Sequence, residues 1–270
     1  MLSRHVPGSG YSFYRTPEWG VEEPNPLDTL AALRTLRLLA LPVPERQLTA
    51  DWLRSLQADD GSFPTLTIGW ASLGSLAELG VGPRRRPASG WLAKCERVLD
   101  GHGDRDWSGT VRDALHLLET LRLAGHLVDS VKVGRLLKRS QHEDGGWAQP
   151  GADLETTAVA LLVADSAGVV DRVSGDAEAF LRRCEDPVLG LRMSPHAGAT
   201  SVGALWGGAV IAERLKLQLR HPDQVGAGIA LCQRADGGFG PRPLAISSLK
   251  DTWLGVATDR LLHQSDGTQP

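Results

Sequence analysis

The chain has 270 residues, 41% hydrophobic and 23% charged, with a formal net charge of -3. That suits a globular protein with a sizeable core and excludes the long-range attraction to nucleic acid or anionic membrane that a basic stripe would give; the short run Arg84, Arg85, Arg86 reads as a solvated loop. No apolar stretch approaches membrane-spanning length, and Pro7, Gly8 and Gly10 interrupt the region where a secretory signal needs an apolar core, so a cytoplasmic location is expected.

The three cysteines, Cys95, Cys184 and Cys232, are too scattered for a disulfide framework or a thiolate metal cluster and read as small core residues. Eight of the fourteen aromatics are Trp, an imbalance that asks where they stand.

They stand periodically. In chain order, a Trp anchor at Trp19 is followed by an apolar helix over 25–41, a charged helix over 46–56, and then "WLRSLQADDGSF", in which Gln57 precedes Gly61 by four residues and Phe63 by six. An apolar helix over 66–79 follows, then a degenerate copy, "WLAKCE", with Glu96 in the Gln slot and Trp107 closing it. Next come an apolar helix over 109–123, a charged one over 131–140, and "LLKRSQHEDGGW" with Gln141 and Trp147. A helix over 152–164 leads to "FLRRCE", with Glu185 and the anchor Leu191; a helix over 199–215 leads to "IALCQRADGGF", with Gln233 and Phe239; and a last apolar helix covers 247–262. The anchors are spaced by 44, 44, 40, 44 and 48 residues, which makes six units.

Each unit is a helical hairpin. Its Gln sits at a helix end where the amide can bond orphan backbone groups, its Asp-Gly pair provides a left-handed cap, and its aromatic packs the turn. Helices apolar in several directions belong inside and one-sided ones outside. A linear stack would need polar end caps, and none is evident, whereas six hairpins suffice to close a ring. The expected fold is therefore all-α, one domain over 1–270, an α6/α6 toroid with a central funnel. The sixth outer helix is not obvious, and the segment up to Arg15 is the candidate for its place.

This spelling resembles the QW-type repeats of the superfamily that holds squalene-hopene cyclases, class II terpene cyclases and protein prenyltransferase β-subunits. The zinc site of the prenyltransferases, an Asp-x-Cys pair with a distant His, has no counterpart: "KDTW" offers Asp251 with Trp253 in the Cys slot, and every Cys lies on a Gln-bearing helix. No zinc is expected. Class II cyclases carry Asp-x-Asp-Asp-Thr-Ala at the start of an inner helix, and "DLETTA" from Asp153 is similar. The resemblance implies Glu155 as proton donor, Asp153 as its partner and Thr156 in the place of the second acid.

The residues themselves leave a second reading open. Asp153 would cap its helix and Glu155 would favour the first turn, as acids and Thr do at "LDTLAAL" and "KDTWLGV". Trp70, Trp206 and Trp253 on the inner helices can face a carbocation or fill the core. Asp28, Asp113 and Asp251 share the rim with Asp153, either as caps or as holders of Mg²⁺ for a diphosphate. His116 and His196 have no catalytic partner at motif spacing. The function implied is protonation-initiated cyclisation of an isoprenoid; the alternative is a non-catalytic toroid that binds an apolar ligand or serves as one subunit of a two-chain cyclase.

Overall fold

In the computed structural model, residues 2–13, 15–16, 21–100, 107–147 and 151–265 are described, and they form helices joined by turns and loops, with two pairs of two-residue strands, Arg15–Thr16 with Val21–Glu22 and Glu185–Asp186 with Gly190–Leu191. The six inner helices are α1 (Pro26–Leu38), α3 (Leu66–Glu78), α5 (Trp107–Ala124), α7 (Leu154–Ser166), α9 (Val202–Leu215) and α11 (Leu249–Ser265). Each packs against the next, and α11 packs back against α1, which closes the ring. Outside it lie α2 (Arg46–Ser55), α4 (Ser89–Cys95), α6 (Ser130–Ser140), α8 (Ser174–Cys184) and α10 (Pro222–Cys232).

The difference between the two layers was written in side-chain chemistry. Nine residues of α7 are buried, so it meets neighbours on almost every side, whereas α2 buries only Thr49, Ala50 and Leu53. Close approach of inner helices is set by small residues. A Cβ at Gly207 of α9 would overlap the Leu154 carbonyl of α7, so only glycine lets these two backbones come together.

The turn chemistry is as the spelling requires. Gly61, Gly145 and Gly237 have φ of +86°, +83° and +79°, the left-handed region that the Asp-Gly turns need. Gln57 donates to the carbonyls of Gly61 (3.0 Å) and Arg85 (2.8 Å) and accepts from the Arg85 amide (2.9 Å), so its amide ties one hairpin to the next. Glu185, in the same slot, accepts from the Arg220 amide at 2.7 Å. The anchors Phe63, Trp147, Leu191 and Phe239 are buried.

One joint recurs. Thr157 donates to the Asp153 carbonyl (2.7 Å) and accepts the Trp147 amide (3.1 Å); Thr252 does the same for Ser248 (2.6 Å) and Phe239 (3.1 Å). In the first unit Thr29 donates to the Asn25 carbonyl (2.8 Å) and accepts the amide of Tyr11 (2.9 Å). The expected anchor Trp19 lies outside the described residues, and the anchor's place on Thr29 is held by Tyr11, fully buried against Ala31, Ala32, Leu36 and Leu249. Arg4 bonds the Ser247 carbonyl and hydroxyl, both at 2.9 Å. Thus the N-terminal segment occupies the place between α11 and α1 where a sixth outer helix would stand.

Candidate functional site

Five of the six inner helices begin on one rim with a cap whose side-chain oxygen accepts the amide three residues on: Asn25 from Asp28, Thr65 from Ile68, Asp153 from Thr156, Ser201 from Ala204 and Ser248 from Asp251. This common start puts equivalent positions at equal depth. Two residues past the cap stand Leu27, Thr67, Glu155, Gly203 and Lys250; five past it stand Trp70, Trp206 and Trp253. The three expected tryptophans therefore share one layer, one helical turn below the mouth.

At the mouth, Asp153 is in extended conformation (φ −134°, ψ 158°) and accepts the Thr156 amide at 2.8 Å and the Thr156 hydroxyl at 3.0 Å. Burial pushes its carboxyl above the usual range; the two bonds from Thr156 oppose this, and the neighbouring Glu155 adds to it. Glu155 is one-quarter exposed and reaches across the mouth: Oε1 lies 2.7 Å from Lys250 Nζ on α11 and 3.6 Å from the Arg112 guanidinium on α5. It reaches Lys250 over the first turn of α9 because Gly203 has no side chain there; a Cβ would overlap Glu155 Oε2. The sequence pattern placed Glu155 at the site but not its two cations.

Below, Trp206 and Trp253 lie 5.9 Å apart, tilted at 51°. Trp70 stacks on His116 at 3.8 Å, its rings 17° from parallel, and donates to Glu119 at 2.5 Å. Between the two groups, the Arg34 guanidinium sits 5.7 Å from the Trp70 ring and 5.3 Å from the Trp253 ring, held by Glu119 at 3.2 Å and Glu78 at 3.7 Å. The interior thus already contains one cation on aromatic faces. Burial, with Arg112 and Arg34 nearby, lowers the His116 pKa to about 4, and its Nδ1 makes no hydrogen bond. Sequence reasoning did not single out Arg34, which shares α1 with two other charged residues, Asp28 and Arg37.

The other rim acids are not gathered. Asp28 and Asp251 are bonded back into their own caps, Asp28 by the Asn25 amide and Asp251 by the Ser248 hydroxyl at 2.6 Å; burial raises both carboxyls. Asp113 is 3.8 Å from His116 Nδ1 and also lines a separate cleft of about 350 Å³ with Trp91, Lys94 and Cys95. Among the described residues no three His, Cys, Asp or Glu side chains come together as a metal-binding group. The thiols of Cys95, Cys184 and Cys232 end the outer helices α4, α8 and α10, and burial raises all three, Cys184 to about 12. Neutral thiols on separate outer helices do not fit zinc. His196 is exposed in the loop before α9. Among the described residues no helix is long and apolar enough to cross a membrane.

The prenyltransferase alpha-alpha toroid domain matches residues 3–77 and 90–269. The chain belongs to that family. Solved structures agree on the fold. Candida albicans protein geranylgeranyltransferase-I complexed with GGPP is 14% identical, covers 93% of this chain and 88% of its own, and superposes with a TM-score of 0.72. The type II terpene cyclase MstE from Scytonema is 13% identical over 89% of each chain, with a TM-score of 0.52. A protein from Actinoplanes is 15% identical over 89% and 90%, with a TM-score of 0.50. At these identities the likeness is one of fold. No curated protein matches the chain in sequence.

Proposed function

We propose that this toroid binds an isoprenoid in its ring and cyclises it by protonation. The observation that carries the reading is Asp153, a carboxyl kept above its usual pKa by burial and by Glu155, at the rim one turn above three tryptophans. A helix N-terminus alone would lower the pKa, so burial and the neighbouring Glu155 carboxylate are what favour a proton on Asp153, the acid of the Asp153–Glu155 pair.

The pair gives that proton to a terminal alkene carbon. A C–H bond forms, the neighbouring alkene's π electrons close a ring onto the cation, and loss of a proton from an adjacent carbon leaves a new alkene. The sum is an isomerisation without an oxidant. Thr156 holds Asp153 in place, and the faces of Trp70, Trp206 and Trp253 stabilise the positive charge. His116, neutral and with Nδ1 unbonded beside Trp70, is the acceptor within the ring.

A second reading has its own support. Arg34 already lies on the faces of Trp70 and Trp253, as it would in a toroid that binds an apolar ligand or joins a second subunit without chemistry. Incubation of the purified chain with C10 to C30 prenyl diphosphates and with squalene, followed by product analysis, separates the two. A cyclic isomer formed by wild type and lost in Asp153→Asn with unchanged folding supports cyclisation; no product under any of these conditions supports the binding role.

A further inference from the structure

The mouth holds a charge arrangement that neither the acid pair nor the tryptophan layer requires. Lys250 and Arg112 come from opposite flanks of α7 and are about half exposed, 54% and 48%, while the carboxylate between them is only 25% exposed. Two cations facing the same opening and sharing one carboxylate make a site for a dianion, with one wall occupied by the protein's own side chain. The occupant is movable, because its carboxylate ends a flexible chain. The place it passes through is open only because position 203 is glycine.

We propose that Glu155 is an internal latch over an anion subsite formed by Lys250 and Arg112, and that the diphosphate head of an isoprenoid displaces it. The tail then extends toward Trp70, Trp206 and Trp253, a turn below. Displacement frees the Glu155 carboxylate from both cations and leaves it beside Asp153. Two carboxyls without a counter-ion share a proton more readily than one of them paired with an ammonium, so head-group binding arms the acid. This rests on the reading that the ring receives an isoprenoid, but its test needs no turnover.

Affinity for inorganic pyrophosphate and for farnesyl diphosphate, with farnesol as the neutral control, is measured by calorimetry on the full chain. Lys250→Gln and Arg112→Gln are expected to lose most of the pyrophosphate affinity. Glu155→Gln removes the competing charge and is expected to bind pyrophosphate about tenfold tighter. Gly203→Ala makes the separate check: its methyl pushes the Glu155 carboxylate off Lys250 while the net charge stays the same, so a several-fold gain is expected, with circular dichroism confirming an intact fold. Farnesyl diphosphate should bind tighter than pyrophosphate in every variant that binds either.

Unchanged or weaker pyrophosphate binding in both Glu155→Gln and Gly203→Ala overturns the latch. Equal affinity for pyrophosphate and farnesyl diphosphate overturns the placement of the tail. If no chain forms a cyclic product while the affinities follow the expected order, the latch stands and the cyclisation reading alone fails.

Discussion

The joint at Thr157 allows a stability change to be worked out before it is measured. Thr157→Val keeps the shape and the β-branch and removes only the hydroxyl, in a side chain with no exposed surface. Two bonds go, but they differ in consequence. The Asp153 carbonyl still accepts the Thr157 amide at 3.0 Å, so losing the hydroxyl there costs little. The Trp147 amide, in a fully buried residue, loses its acceptor, and an orphaned buried donor costs about 1–3 kcal/mol. The expected loss is therefore about 2 kcal/mol, a fall of roughly 4–8 °C in Tm for a chain of this size. Urea titration followed by circular dichroism, with calorimetry for Tm, measures it. Thr157→Ser retains the hydroxyl and should lose less than about 1 kcal/mol. If Thr29→Val and Thr252→Val cost as much as Thr157→Val, the joint is a repeated unit. A loss under about 0.5 kcal/mol at Thr157, with Ser and Val alike, would refute the argument that this hydroxyl carries the turn.

The remaining expectations concern pH, packing and the cap. His116 has its folded pKa depressed from 6.5 to about 4, so the unfolded chain binds the proton more readily within that window and stability falls as pH drops from 6.5 toward 4, by at most about 3 kcal/mol. Urea midpoints for His116→Gln should decline less over that interval than wild type. Asp153 works with the opposite sign: its folded pKa is raised above 3.8, the folded state holds the proton more tightly, and stability falls as pH climbs from 3.8 through the raised value. Asp153→Asn should remove that part of the slope in the same titration. Asp153→Ala, which removes the cap, should cost about 1 kcal/mol more than Asp153→Asn in thermal unfolding. Gly207→Ala drives a methyl into the Leu154 carbonyl, backbone against backbone, and should destabilise the chain by about 3 kcal/mol or more in urea.

The repeat was readable because its chemistry is local. A Gln, an Asp-Gly turn and an aromatic six residues apart specify a cap, a positive φ and a packed anchor whatever lies elsewhere, and the structure has all three at Gln57, Gly61 and Phe63. The same grammar marked Asp153 as a helix cap, which it is, whereas Asp28 and Asp251 are not caps themselves but bond to the caps Asn25 and Ser248. What was not readable depends on distance in sequence. Tyr11 has no Gln-Gly turn before it, and only its bond to Thr29 identifies it as an anchor. Arg34 meets Trp70, Glu78, Glu119 and Trp253 from three other inner helices, and no spacing rule joins those residues. The contact of Glu155 with Lys250 spans 95 positions and depends on a glycine in a third helix. Position along a helix was foreseeable; what a long side chain finds across a closed ring was not.

The segment that links α11 to α1 gives the molecule a buckle. In an open row of hairpins, damage at one end loosens only that end. Here Arg4 and Tyr11 grip both the last helix and the first. Undoing these few irregular residues would slacken the two terminal hairpins together and leave the hoop held shut by the packing of α11 on α1 alone.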